Sequence, residues 1–139
     1  MAAQSVEDRL ATVPLFETLS KKHLRALARL VTPVDLAAGR ELMREGATER
    51  EFFVVISGEA QILRGGEVIA VRGPGDFFGE IALLLDRPRT ASVIASTDMS
   101  VEVIERQDFK GFLSEHPELY EPLLAAAAER VAQLEDGPA

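Results

Sequence analysis

Two side chains nine positions apart, Glu80 and Arg89, have the chemistry needed to hold a small anionic ligand. The guanidinium of an arginine is a planar fork of donors that matches phosphate oxygens, and such a charge-assisted contact typically contributes about 1.5–3 kcal/mol. The carboxylate of a glutamate only accepts hydrogen bonds, so beside an anion it needs a ligand group that donates, such as a sugar hydroxyl. A phosphate and a hydroxyl together indicate a nucleotide.

The backbone around this pair would complete the binding site. Gly79 permits close approach of the main chain, and the residues that follow it are good helix formers. The unpaired N–H groups at the start of that helix, from Gly79 through Glu80 and Ile81 to Ala82, would form a small anion site. Taken alone, Glu80 could be an acid at a helix start and Arg89 a surface side chain. Only their combination predicts a function.

The sequence around these residues resembles the phosphate-binding cassette of the cyclic nucleotide-binding domain family. The resembling segments are Phe-Gly-Glu-Ile-Ala-Leu at 78–83 and Pro-Arg-Thr-Ala-Ser-Val at 88–93, and the likeness extends more weakly over roughly residues 10 to 135. The resemblance implies that Glu80 takes the ribose 2′-hydroxyl and that Arg89 takes the cyclic phosphate. It also implies that backbone N–H groups of the cassette complete the cradle.

Thr90, directly after the arginine, bears on which cyclic nucleotide is bound. Many of the resembling cyclic AMP modules carry alanine there, a threonine in the resembling channels favours cyclic GMP, and a serine in the resembling bacterial activators is compatible with cyclic AMP. We expect cyclic AMP, with cyclic GMP as the alternative. The base pocket of the family is apolar, and its candidates here, which could equally be ordinary core residues, are Ile62, Ile69 and Val71.

The composition indicates one soluble domain of 139 residues. Its 15 Lys and Arg against 23 Asp and Glu give a formal net charge of −8, which opposes non-specific attraction to nucleic acid or to an anionic membrane. Cysteine is absent, which excludes disulfides and thiolate metal sites. No apolar run approaches the roughly 18 residues of a membrane span, and no signal peptide is evident, so we expect a cytoplasmic protein.

Short runs of β-branched and aromatic residues, separated by glycine turns, dominate residues 34–106. This pattern predicts a mainly β fold, namely an antiparallel jelly-roll-like β-barrel. The short helix of the cassette, a segment that spans 73–95, would interrupt this barrel. A helix inserted into a barrel is more plausibly retained for a ligand than for stability. The predicted strands are 34–36, 41–43, 52–57, 60–63, 68–71, 92–95 and 101–105.

Helices flank this β region, so the chain is predicted to form a single domain, 1–139. Within 1–33, a short helix should follow Ser5 and a longer one should follow Ser20, closed by Pro33. The segment 107–135 should hold the C-terminal helices.

The last helix is expected to be a lid that moves on binding and closes over the base. Its apolar face is broad enough for the helix to pack in two arrangements. A ligand would shift the equilibrium between these arrangements only if it made different contacts with each of them. The hinge is predicted at 114–117, because Pro117 cannot continue a helix. The same face could instead simply pack on the barrel or form a homodimer. The lid candidates are Tyr120, Leu123, Leu124 and Ala127.

These features favour a non-enzymatic regulatory sensor with no cofactor, no catalytic residue and no metal ligand. Nothing resembling a helix-turn-helix, a kinase or a channel follows Leu134, so the effector is an unknown protein or a missing domain. One alternative is a metal enzyme, disfavoured because the two histidines, His23 and His116, fall in helical segments, where His23 should be a surface imidazole. The other is a ligand-free interaction or dimerisation domain of the same fold.

Overall fold

The computed structural model describes residues 5–47, 51–85 and 88–135, without the side chains of 82, 83, 85 and 133–135. Within these ranges, no helix is both long enough and apolar enough to cross a membrane. The elements in chain order are α1 (Val6–Ala11), a 3₁₀ turn (Pro14–Phe16), α2 (Lys21–Ala28), β1 (Val31–Leu36), β2 (Glu41–Met43), β3 (Phe52–Ser57), β4 (Ala60–Arg64), β5 (Glu67–Arg72), β6 (Phe77–Phe78), α3 (Glu80–Leu85), β7 (Ser92–Ala95), β8 (Met99–Ile104), α4 (Arg106–Glu115), a second 3₁₀ turn (Pro117–Leu119) and α5 (Tyr120–Glu135).

The strands form two four-stranded antiparallel sheets. The first has the order β1-β8-β3-β6 and the second has the order β2-β7-β4-β5. The mainly antiparallel, jelly-roll-like fold with flanking helices that the sequence predicts is therefore confirmed. Among the described strands, however, the hydrogen bonds form two separate sheets and do not close one continuous barrel.

Serine caps start the first two helices, as the sequence predicts. The hydroxyl oxygen of Ser5 accepts a hydrogen bond from the backbone N–H of Asp8 at 3.1 Å, and that of Ser20 accepts one from His23 at 3.2 Å. The end of α2 differs from the expectation, because the helix stops before Pro33 and that proline lies within β1. Strand β1 is at the edge of its sheet, where a residue without an N–H group is tolerated.

Strand β3 lies at the centre of the molecule and is buried on both faces. Because side chains alternate along a strand, Phe52 and Val54 face the helices, while Phe53 and Val55 face the second sheet. Two apolar cores result. The helical core contains Leu10, Phe16, Leu27, Phe109, Leu113, Leu119 and Leu123 among others, and the core between the sheets contains Met43, Ile62, Phe78, Val93, Met99 and Val101 among others.

The chain between α4 and α5 leaves the helical conformation at His116, which has φ −131° and ψ 66°. This break lies in the segment where the sequence predicts a hinge. His116 is buried, and its ring contacts those of Phe112 and His23, each at 4.3 Å between centroids. His23, which was expected to be a surface imidazole, is instead half-buried, and its ring packs against that of His116.

Candidate functional site

A cavity of about 530 Å³ lies between the second sheet and the segment containing α3, with one side chain of α5 at its edge. Cavities of this size suit small organic ligands. One end of the wall is apolar and the other is charged. The apolar lining residues are Met43, Ile62, Val68, Ile69, Ala70, Phe78, Ile81, Ala91 and Val93, and the others are Glu67, Arg72, Gly79, Glu80, Arg89, Thr90 and Arg130.

Arg89 is buried at the charged end, with only 3% of its surface exposed. Its Nη2 donates to the carbonyl of Glu51 at 2.7 Å and its Nη1 donates to the carbonyl of Gly79 at 3.4 Å. The backbone of Arg89 is also fixed, because its N–H donates to Ala47 at 2.9 Å and its carbonyl accepts from Gly46 at 2.8 Å. The backbone therefore holds this guanidinium in place at the cavity wall.

Gly79 is required by the position of Arg89. Its φ is +97°, and a β-carbon added there would lie 2.6 Å from the Glu51 carbonyl oxygen and 3.0 Å from Nη1 of Arg89. Both the conformation and the space exclude a side chain. Strand β6 brings this glycine to the site, because Phe78 pairs with Phe53 of the central strand.

Glu80 is the first residue of α3 and is only 1% exposed. Its Oε1 accepts a hydrogen bond from Nη1 of Arg130 on α5 at 2.6 Å, and the same nitrogen donates to the carbonyl of Phe77 at 2.9 Å. The Arg130 guanidinium also lies 4.7 Å from the centre of the Phe77 ring, within the range of a cation–π contact. Oε2 of Glu80 is buried and has no hydrogen-bond partner among the described residues.

Arg72, the last residue of β5, adds a further cation to this end of the cavity. Its Nη1 donates to the carbonyl of Val71 at 3.2 Å. Burial lowers the pKa of Arg72 below its ordinary value, and the nearby charge of Arg130 lowers it further, while Asp76, Glu80 and Glu129 act in the opposite direction.

Most of the residues predicted to bind the ligand line this one cavity. They are Gly79, Glu80, Ile81, Arg89 and Thr90. The side chain of Ala82 lies outside the described part of the chain.

Of the predicted base pocket, Ile62 and Ile69 line the cavity, whereas Val71 does not and its side chain is 46% exposed. The sequence interpretation missed Met43 and Val93, which β2 and β7 bring to the wall from distant parts of the chain. The sequence pattern that could have identified these two residues is the alternation of apolar positions along their strands. That pattern alone does not distinguish a residue that packs in the core from one that lines a cavity.

None of the four predicted lid residues lines the cavity. Leu123 and Ala127 are buried, Tyr120 packs against the helical core, and Leu124 is 50% exposed. Among the described side chains of α5, Arg130 reaches the cavity. The sequence interpretation missed it because it searched for apolar contacts with a base. A signal was present, since Arg130 follows Ala127 by three positions and therefore shares its face of the helix.

Comparison with known proteins identifies the family of this chain. A family model described as "Cyclic nucleotide-binding domain" matches residues 33–116. The chain is 28% identical over 131 residues to a CRP-like cAMP-activated global transcriptional regulator of Mycobacterium tuberculosis, a match that covers 91% of this chain and 58% of the regulator. It is 38% identical over 110 residues to a cAMP-dependent protein kinase regulatory subunit of Aspergillus fumigatus, covering 75% of this chain and 26% of the subunit. The chain thus spans only part of the length of these relatives.

A solved structure extends the comparison to three dimensions. The regulatory domain of Toxoplasma gondii PKA, crystallised with cAMP, superimposes with a TM-score of 0.81 at 25% identity, covering 89% of this chain and 49% of the other. The matching family model covers more than half of the chain, including both sheets except the first two residues of β1, and all of the cavity wall except Arg130. The chain therefore belongs to the cyclic nucleotide-binding domain family.

Proposed function

We propose that this domain is a non-enzymatic regulatory sensor that binds a 3′,5′-cyclic nucleotide, with cyclic AMP preferred over cyclic GMP. The observation that carries the proposal is that buried Arg89 and buried Glu80 line the same cavity, whose other end is apolar. A cyclic nucleotide offers one anionic group, one sugar hydroxyl and one flat apolar base, so it can meet all three parts of this wall.

The cyclic phosphate is assigned to Arg89. Its guanidinium is held by backbone carbonyls, so little side-chain freedom is lost when an anion binds there. The planar fork of donors also suits phosphate oxygens better than the point charge of a lysine. Gly79 belongs to the same assignment, because a larger residue would displace that guanidinium.

The ribose 2′-hydroxyl is assigned to Glu80. Oε1 is taken by Arg130, whereas the buried Oε2 has no partner among the described residues. A buried carboxylate oxygen without a donor is unfavourable, and a hydroxyl that donates to it would relieve that cost. The wall of the cavity thus distinguishes a ribose from a deoxyribose ligand.

The base is assigned to the apolar end, against Ile62, Ile69, Val68 and Val93. The preference for cyclic AMP is supported by the relatives, whose names refer to cAMP, and by the bound cAMP of the Toxoplasma gondii structure. Thr90, which lines the cavity, offers a hydroxyl that either the phosphate or a guanine could use, so it is the position to test for base selection.

Movement of α5 is the second part of the proposal. Arg130 links α5 to Glu80, the group assigned to the ribose, so any ligand that bonds to Glu80 changes the energy of the Arg130 contact. A change in that contact shifts α5 only to the extent that the ligand favours one of its arrangements. The recipient of the signal would be a further domain or a separate effector protein.

Calorimetric titration with cyclic AMP and cyclic GMP tests the binding proposal directly. A ligand that binds only the folded state adds about 2.7 kcal/mol of stability at a hundredfold excess over Kd, so the melting temperature should also rise by several degrees. Arg89→Lys should weaken binding, while Arg44→Lys, at an exposed position outside the cavity, should leave it unchanged. If neither nucleotide binds at millimolar concentration to protein free of retained ligand, the domain is an interaction module and the proposal is wrong.

A further inference from the structure

The wall of the cavity changes from apolar to charged along a single strand. Val68, Ala70 and Arg72 share one face of β5 and line the cavity, which Glu67 and Ile69 of the same strand also line. Arg72 ends this strand, and its charge interacts with that of Glu80, the carboxylate assigned to the ribose.

The guanidinium of Arg72 has an unsatisfied donor at that position. Its Nε is buried and has no hydrogen-bond partner among the described residues. Its charge interacts with Glu80, Arg130, Asp76 and Glu129, which come from α3, α5 and the turn before β6. Burial lowers the pKa of Arg72, but an arginine guanidinium remains protonated in proteins, so Arg72 is still a cation.

A ribose hydroxyl can satisfy two protein groups at once, because it donates one hydrogen bond and accepts others. Glu80 can only accept, so it uses the donor of the hydroxyl and leaves the lone pairs of that oxygen without a partner. Nη1 of Arg130 is already bonded to Glu80 and to the carbonyl of Phe77. Arg72 is the neighbouring cation whose Nε has no partner among the described residues.

We propose that Arg72 is a further ligand-binding residue, whose guanidinium donates to the 2′-hydroxyl that donates to Glu80. The inference rests on the proposed binding of a cyclic nucleotide in this cavity. The hydroxyl is then held between an acceptor and a charged donor, so its two hydrogen bonds polarise each other and strengthen the selection of ribose. Because Nε is buried, donation from this atom to the hydroxyl requires the side chain to turn toward the ligand.

The affinities for cyclic AMP and for 2′-deoxy cyclic AMP, compared between the parent protein and Arg72 variants, test this assignment. Arg72→Met keeps the apolar stem of the side chain and removes every donor, so affinity for cyclic AMP should fall about tenfold while affinity for the 2′-deoxy ligand changes little. The ratio of the two affinities should therefore shrink about tenfold. Arg72→Lys, which keeps a charged donor, should restore part of the ratio. Arg64→Met, on neighbouring strand β4 and outside the cavity lining, is the matched control and should change neither affinity.

The outcomes separate this inference from the proposed function. If the parent protein binds cyclic AMP and Arg72→Met weakens both ligands equally, Arg72 acts on the base, the phosphate or α5, and the inference is wrong. The same conclusion follows if Arg72→Met binds both ligands as tightly as the parent does. If the parent protein binds neither cyclic nucleotide, the proposed function fails first and the inference falls with it. Thermal melting of each variant verifies that the fold is intact.

Discussion

Removal of the Arg130 side chain should destabilise this domain far more than removal of an ordinary surface arginine. The guanidinium holds Oε1 of buried Glu80 at 2.6 Å and the carbonyl of Phe77 at 2.9 Å. In Arg130→Met the apolar stem remains, but both contacts are lost. Glu80 would then be a buried carboxylate with neither oxygen bonded to a described side chain.

The expected size of this effect follows from the burial of the pair. Removing one partner of a fully buried ion pair costs about 3–5 kcal/mol, because the other charge is left uncompensated. The Arg130 side chain is 19% exposed, which places the expected loss near the lower end, at about 3 kcal/mol. For a domain of this size that corresponds to a fall in melting temperature of about 10 °C.

The matched control is Arg25→Met on α2, whose ion pair with Glu7 is long, at 3.9 Å, and exposed on both sides. Such pairs contribute about 0–1 kcal/mol, so the control should melt close to the parent protein. The double variant Glu80→Gln with Arg130→Met should recover part of the loss, because position 80 then carries no buried negative charge. Equal melting temperatures for Arg130→Met and Arg25→Met, measured by calorimetry without ligand, would contradict this reasoning.

Three further predictions use denaturant unfolding, the first two with adjacent or equivalent positions as controls. Leu123→Ala should lose about 2–5 kcal/mol because Leu123 is fully buried, whereas Leu124→Ala, at the next and half-exposed position, should change stability by less than about 0.5 kcal/mol. Gly58→Ala should be much more destabilising than Gly46→Ala, since both have φ of +83° but only the first added β-carbon would clash, at 2.3 Å from the Asp98 carbonyl oxygen. Gly79→Ala should cost more than about 1 kcal/mol and should also weaken cyclic nucleotide binding by shifting Arg89; unchanged affinity would show that the phosphate is held elsewhere.

The parts of the site that the sequence predicts are those that lie close together along the chain. Gly79, Glu80 and Arg89 belong to one short segment, so their spacing in the sequence already limits how far apart they can lie in the structure. The capping serines Ser5 and Ser20 are predictable for the same reason, since a cap involves residues only three positions apart.

The parts that the sequence does not predict depend on distant contacts. Arg130 and Glu80 are fifty positions apart, and a charged residue on an otherwise apolar helix usually lies in solvent. Arg72 ends a strand whose apolar residues suggest core, and the cavity beside that strand is visible only in the structure. Pro33 was misplaced because proline commonly ends helices, while its place in an edge strand depends on pairing with β8.

The two central residues of the site are held by different parts of the molecule, and this separates affinity from signalling in the proposed sensor. Arg89 is fixed by the carbonyls of Glu51 and Gly79, so its contact with a phosphate does not depend on where α5 lies. Glu80 is held by Arg130, so its contact with a hydroxyl does depend on α5. Coupling between two contacts is reciprocal. If the bound ligand changes the free energy of the Arg130 contact by a given amount, then loss of that contact must change the free energy of ligand binding by the same amount. A substitution at Arg89 should therefore reduce affinity and leave this coupling intact, whereas a substitution at Arg130 should remove the coupling even where the ligand still binds.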